Sequence, residues 1–70
     1  MKITGVVEYV DIGPGCWGVT DRQGKQYRPV NFPEQLKTPG RRVTIIAKPI
    51  VEDFSIFQWG EPVRIISFST

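Results

Sequence analysis

CWGVTDRQGKQYRPVNFP, residues 16–33, decides the fold reading of this chain. Two short apolar-alternating segments flank Asp21-Arg22-Gln23-Gly24, which makes the stretch a β-hairpin. A three-residue loop, Arg22-Gln23-Gly24, suits it, with Gly24 in the left-handed position of a type I turn plus G1 bulge. That loop pairs Asp21 with Lys25 and Val19 with Tyr27, and sets Trp17 opposite Pro29 on the same face. Gly18, Thr20, Gln26 and Arg28 fall on the other face. A slip of one residue would scatter both sets, so the register is well specified. The end of the stretch, Pro29 to Pro33, is a proline-bracketed crossing out of the hairpin.

Upstream, Lys2 to Val10 reads as a strand. Ile3, Gly5, Val7 and Tyr9 share one face, and Val6, Glu8 and Val10 the other. Apolar residues on both faces suit a strand shared between two halves of a barrel. Gly5 in mid-strand predicts a bulge or sharp bend. Residues 11–15, Asp-Ile-Gly-Pro-Gly, form a turn-rich loop.

Downstream, Asn31 suits a helix N-cap, and Pro33 with Glu34 suits a first turn. The segment is short and proline-rich, which predicts one or two turns of 3₁₀ character docked through Leu36 and ended by Pro39-Gly40. Residues 42–50 form the fourth strand, with Val43, Ile45 and Ala47 alternating against Thr44, Ile46 and Lys48, and Pro49 near its end. Glu52-Asp53 reads as a turn, and residues 54–59 as a short extra strand or an ordered aromatic loop broken by Gly60. The last strand runs over 62–68, with Val63 and Ile65 on one face and Arg64, Ile66 and Phe68 on the other.

The order is therefore three strands, a helical turn, then two strands. A helical segment between the third and fourth strands of a five-stranded closed sheet is the arrangement of the OB-fold. The expected fold is all-β: one small five-stranded OB-fold-like barrel over residues 1–70, with a short helical turn between strands 3 and 4. Closure also removes the sheet edges of so short a chain. An SH3-like barrel shares the strand count but not the placement of the turn.

Gly15-Cys16-Trp17, Asp21 with Gly24, Tyr27-Arg28-Pro29, Asn31-Phe32-Pro33, Gly40 with Val43, and Ser55 with Trp59-Gly60 and Val63 form a set covering about two thirds of the chain. In these residues the chain resembles a group of short OB-fold-like proteins of bacteria and archaea that lack an assigned activity. The resemblance implies a fold and brings no catalytic or binding residue with it.

Seventy residues make one small domain. Such a chain buries only about 60% of the surface its unfolded form exposes. Its core supplies a net stability on the order of 3–5 kcal/mol. Large apolar side chains are therefore needed inside, and Trp17 and Tyr27 are expected in the core. Nine Lys/Arg against seven Asp/Glu give a net charge of +2, which permits an anionic partner without demanding one. The apolar runs are far too short to span a bilayer. No signal-peptide pattern opens the chain, so a cytoplasmic location is expected, with the mature part of an exported precursor as the alternative.

With no histidine and one cysteine, Cys16, the chain can form no intrachain disulfide, no structural zinc set and no Ser-His-Asp or Cys-His pair. The carboxylates show neither calcium-loop nor paired acid–base spacing. Gly13-Pro14-Gly15 leads into a strand, so it is not a phosphate-cradling loop. No metal, no cofactor and no enzymatic activity are expected.

A binding domain remains. OB barrels bind oligonucleotides on the face of strands two and three, with aromatic side chains for bases and Lys/Arg for phosphates. The expected site is Thr20 and Arg28 with Gln26 on that face, Arg22 and Lys25 at the hairpin tip, and Phe57 and Trp59 from the loop before the last strand. The expected partner is single-stranded DNA or RNA. The rival is a protein-interaction module in which Phe54, Phe57 and Trp59 stand exposed as an apolar patch.

Overall fold

Asp21 organises the turn of the β-hairpin. In the computed structural model, which describes residues 1–11, 13–51 and 59–69, its Oδ1 accepts the N–H groups of Gln23 and Lys25, both at 2.9 Å. Its backbone exchanges bonds with Lys25 O (2.9 Å) and Gly24 N–H (3.0 Å). Gly24 takes φ +85°, the left-handed position that the loop type requires. Strands β2 (Cys16–Asp21) and β3 (Gln26–Pro29) leave this turn in the expected register, Val19 opposite Tyr27 and Thr20 opposite Gln26. Val19 and Tyr27 both enter the core, as the alternation requires.

Strand β1 (Lys2–Val10) is shared between two ladders. It pairs with β4 (Arg42–Pro49) from Lys2↔Ile46 to Val6↔Arg42, and with β2 from Gly5↔Asp21 to Val10↔Cys16. At Gly5 and Val6 it is therefore paired on both sides. The expected bulge at Gly5 is absent: the β1–β4 register runs through it unbroken, and the β1–β2 register begins at it. The glycine is needed for a different reason. A Cβ there would run into the Thr20 carbonyl and lie 2.9 Å from Val19 Cγ1.

Strand β5 (Glu61–Ser69) closes the sheet, parallel to β3 (Tyr27↔Glu61 to Pro29↔Val63) and antiparallel to β4. The result is a closed barrel in the order β1-β2-β3-β5-β4, with one 3₁₀ turn, Glu34–Leu36, between β3 and β4. This is a small OB-like barrel, as the strand order in the sequence implies. Leu36 is fully buried and plugs it, with Val7, Val19, Val43, Ile45, Ala47 and Val63 around it. Val7 ties the connection down: it donates to Arg41 O and accepts from Gly40 N–H, both at 2.8 Å. Trp17 is half-buried against the core, edge-on to Tyr9 with centroids 5.2 Å apart. Among the described residues, no helix is long and apolar enough to cross a membrane.

Two local expectations are corrected. Asn31 is not the N-cap. That position is Pro33, without a side-chain cap bond. The Asn31 amide instead donates to Ile65 O (2.9 Å) and accepts from Ile65 N–H (2.8 Å). It continues the parallel β3–β5 pairing one step beyond the Val30 N–H to Val63 O bond, because a side-chain amide offers both a donor and an acceptor. Replacing Asn31 by Ala should cost about 1–3 kcal/mol in urea denaturation and speed amide exchange at Ile65. An unchanged midpoint would show that water serves Ile65 equally well. The second correction concerns β5. Its register against β4 shifts between Ile46↔Ser67 and Ala47↔Ile65, so Ile66 is an extra residue in the ladder. The bulge puts Phe68 opposite Ile45 in the ladder, yet its side chain stays exposed, as those of Arg64 and Ile66 do, outside the core cluster.

The expected turn at Glu52-Asp53 and the aromatic segment up to residue 58, including Phe54 and Phe57, lie outside the described residues.

Candidate functional site

With Val19 and Tyr27 inside, Gly18, Thr20, Gln26 and Arg28 occupy the outer face of β2 and β3. The ladders extend that face sideways. Val6 lies beside Thr20 and Glu8 beside Gly18 on β1, and Arg42 lies beside Val6 on β4.

The two halves of this face differ. At one end Trp59 lies over Gly18, so that a Cβ on Gly18 would collide with the indole ring. Arg28, beneath the same segment, is only 6% exposed, and its Nε donates to Trp59 O at 3.3 Å. Trp59 itself is half-buried. This end is therefore roofed by the chain. Glycine at position 18 is what lets the ring approach so closely.

The other end is open. Thr20 Oγ1 donates to Glu8 Oε2 at 2.9 Å, which holds the hydroxyl in place and uses one carboxylate oxygen. Gln26 and Arg22 are exposed. Lys25 is exposed but engaged: its Nζ sits 3.3 Å from Glu61 Oε2 and 5.5 Å from the centre of the Tyr27 ring. The hydrogen bond to Glu61, then its charge, pushes the Lys25 pKa up. Lys25 thus contributes less free positive charge than its neighbour Arg22. A shallow hollow of about 80 Å³ runs between Thr20, Val6, Arg22 and Arg42. A larger one of about 370 Å³ adjoins it and shares Thr4, Asp21 and Arg22.

Of the residues expected at the site, Thr20 and Arg22 share the open hollow, Lys25 lies outside it against Glu61 and the Tyr27 ring, and Arg28 and Trp59 form the roofed end. Phe57 lies outside the described residues. Sequence reasoning missed Arg42 and Lys2. Both are even-numbered, outward positions of strands correctly read, but neither the β1–β4 pairing that brings in Arg42 nor the β1–β2 pairing that sets Lys2 across from Arg22 has a local signature.

Chemical groups for catalysis are sparse. Burial pushes the Cys16 thiol up, against a smaller opposing pull from the Arg28 charge, so it lacks the lowered pKa of a reactive thiolate. Among the described residues, no group of three or more His, Cys, Asp or Glu could hold a metal ion.

Compared with protein-family models, with curated proteins and with solved structures, the chain finds no match.

Proposed function

We propose that this chain is a small non-enzymatic binding domain of OB-fold-like kind, related to the short barrels it resembles, and that it takes single-stranded nucleic acid across its outer β1–β2–β3 face. The observation that carries this reading is the open hollow. Arg22 and Arg42 flank it with Thr20 between them, Gln26 lies beside Thr20 in the ladder, and Trp59 stands over Gly18 at the roofed end of the same face. Two arginines on the rim suit successive phosphates, and the half-buried Trp59 indole is the aromatic group nearest for a base. A cytoplasmic setting belongs to the same reading.

The test is anisotropy of a labelled twelve-residue oligothymidine between 20 and 200 mM salt. For two or three phosphates neutralised, affinity should fall roughly 25- to 130-fold over that range. Arg22→Ala and Arg42→Ala should each flatten the logarithmic salt slope by about 0.7. Binding that ignores salt, or none at millimolar protein, would refute the proposal. Salt-insensitive self-association or capture of a protein partner would favour the protein-interaction reading instead.

A further inference from the structure

The larger hollow is a notch in the barrel wall. Strand β1 pairs with β4 from Lys2 onward, yet with β2 only from Gly5 onward. Met1 and Ala47 exchange both backbone bonds, and Val7 donates to Arg41 O with the same parity. In an antiparallel ladder bonded pairs alternate, so the odd residues of β1 face β4. Lys2 and Thr4 therefore direct their N–H and C=O groups the other way, into the notch. The β1–β2 register ends at Gly5↔Asp21, with Arg22 facing Thr4 just past the end of β2, and no strand of the described residues lies beside Lys2.

The walls of the notch define what fits. Residues 2–4 line one side, and Arg22 and Gln23 the other. Ile3 and Tyr27, both nearly buried, give it an apolar floor. Across this hollow and the adjoining one lie three cations, Lys2, Arg22 and Arg42, against one carboxylate, Asp21. Oδ1 of Asp21 already accepts the two turn amides. Among the described residues, none of the three cations makes an ion pair.

We propose that this notch receives an extended acidic peptide segment, added as a short strand alongside residues 2–4. Alternating backbone donors and acceptors on β1 match another peptide backbone. They do not match a phosphodiester chain, which has no N–H groups to offer. Alternate side chains of the added strand would lie over Ile3 and Tyr27, or outward toward Lys2 and Arg22. Apolar residues suit the first position and carboxylates the second. A second copy of this chain is disfavoured, because it would bring the same three cations against these three.

The probe is a blocked hexapeptide of alternating Glu and Val, titrated into ¹⁵N-labelled protein. The Lys2 and Thr4 amides should shift, and their exchange should slow about tenfold at saturation, as expected for newly formed ladder bonds. Thr4→Pro, which removes one edge donor, and Lys2→Glu should each weaken binding about tenfold or more. Should Thr4→Pro fail to fold, Lys2→Glu decides. A Lys-Val hexapeptide should not bind. Unshifted amides over 2–4 at millimolar peptide would overturn the proposal. So would equal binding of the Lys-Val peptide, a slowing of Lys2 amide exchange with oligothymidine equal to that with the peptide, or a peptide-free dimer joined through this edge.

Discussion

Gly5→Ala should leave the chain without a stable fold. A methyl group at this position would meet the Thr20 carbonyl oxygen, with Thr20 C at 2.8 Å and Val19 Cγ1 at 2.9 Å. Most of that obstruction is backbone, which cannot rotate aside. β1 is held from both sides at this point, by Val43 and by Asp21, so it cannot retreat without breaking one ladder. Overpacking typically costs 1–3 kcal/mol even where side chains can yield. A clash with fixed backbone should exceed that and consume most of a net stability on the order of 3–5 kcal/mol. Far-UV circular dichroism melts will read it. A variant that still melts cooperatively near the parent midpoint would show that β1 and β2 do not pass so closely.

Leu36→Ala should be nearly as damaging, for the opposite reason. Leu36 is the one apolar residue of the Glu34–Leu36 turn and has no exposed surface. Truncation leaves a cavity at the barrel end and loses burial, at about 2–5 kcal/mol. Leu36→Met keeps the volume and should cost less than about 1.5 kcal/mol. Urea titrations of the pair separate plugging from mere hydrophobicity. Similar losses for both, or a negligible loss for Ala, would mean that the turn does not seal the barrel.

The hairpin was legible in the sequence because its information is local. Asp21 and Gly24 specify the loop, and the loop specifies the register of Val19 against Tyr27. Leu36 as the plug was legible for a similar reason, being the apolar side chain of a short, proline-bounded turn. What escaped was set by distant strands. Gly5 reads as a bulge until β2 and β4 are both seen to press on it. Asn31 reads as a helix cap because its partner, Ile65, lies 34 residues away. The register of β5 against β4 shifts through one extra residue, Ile66, that no pattern within β5 reveals.

The candidate site divides along the same line. Thr20 and Arg22 follow from hairpin register alone. Arg28 sits on the expected face, yet Trp59 covers it, and only the closeness allowed by Gly18 explains how. Arg42 joins the site through the β1–β4 ladder, a pairing of residues about forty positions apart in sequence.

The most direct test of nucleic-acid binding on the open half of the outer face is a ¹⁵N amide titration with oligothymidine at low salt. Shifts should cluster at Thr20, Arg22, Gln26 and Arg42, with a shift of the Trp59 indole, all reversed by added salt. Shifts gathered elsewhere on the barrel, or none at millimolar oligonucleotide, would contradict it.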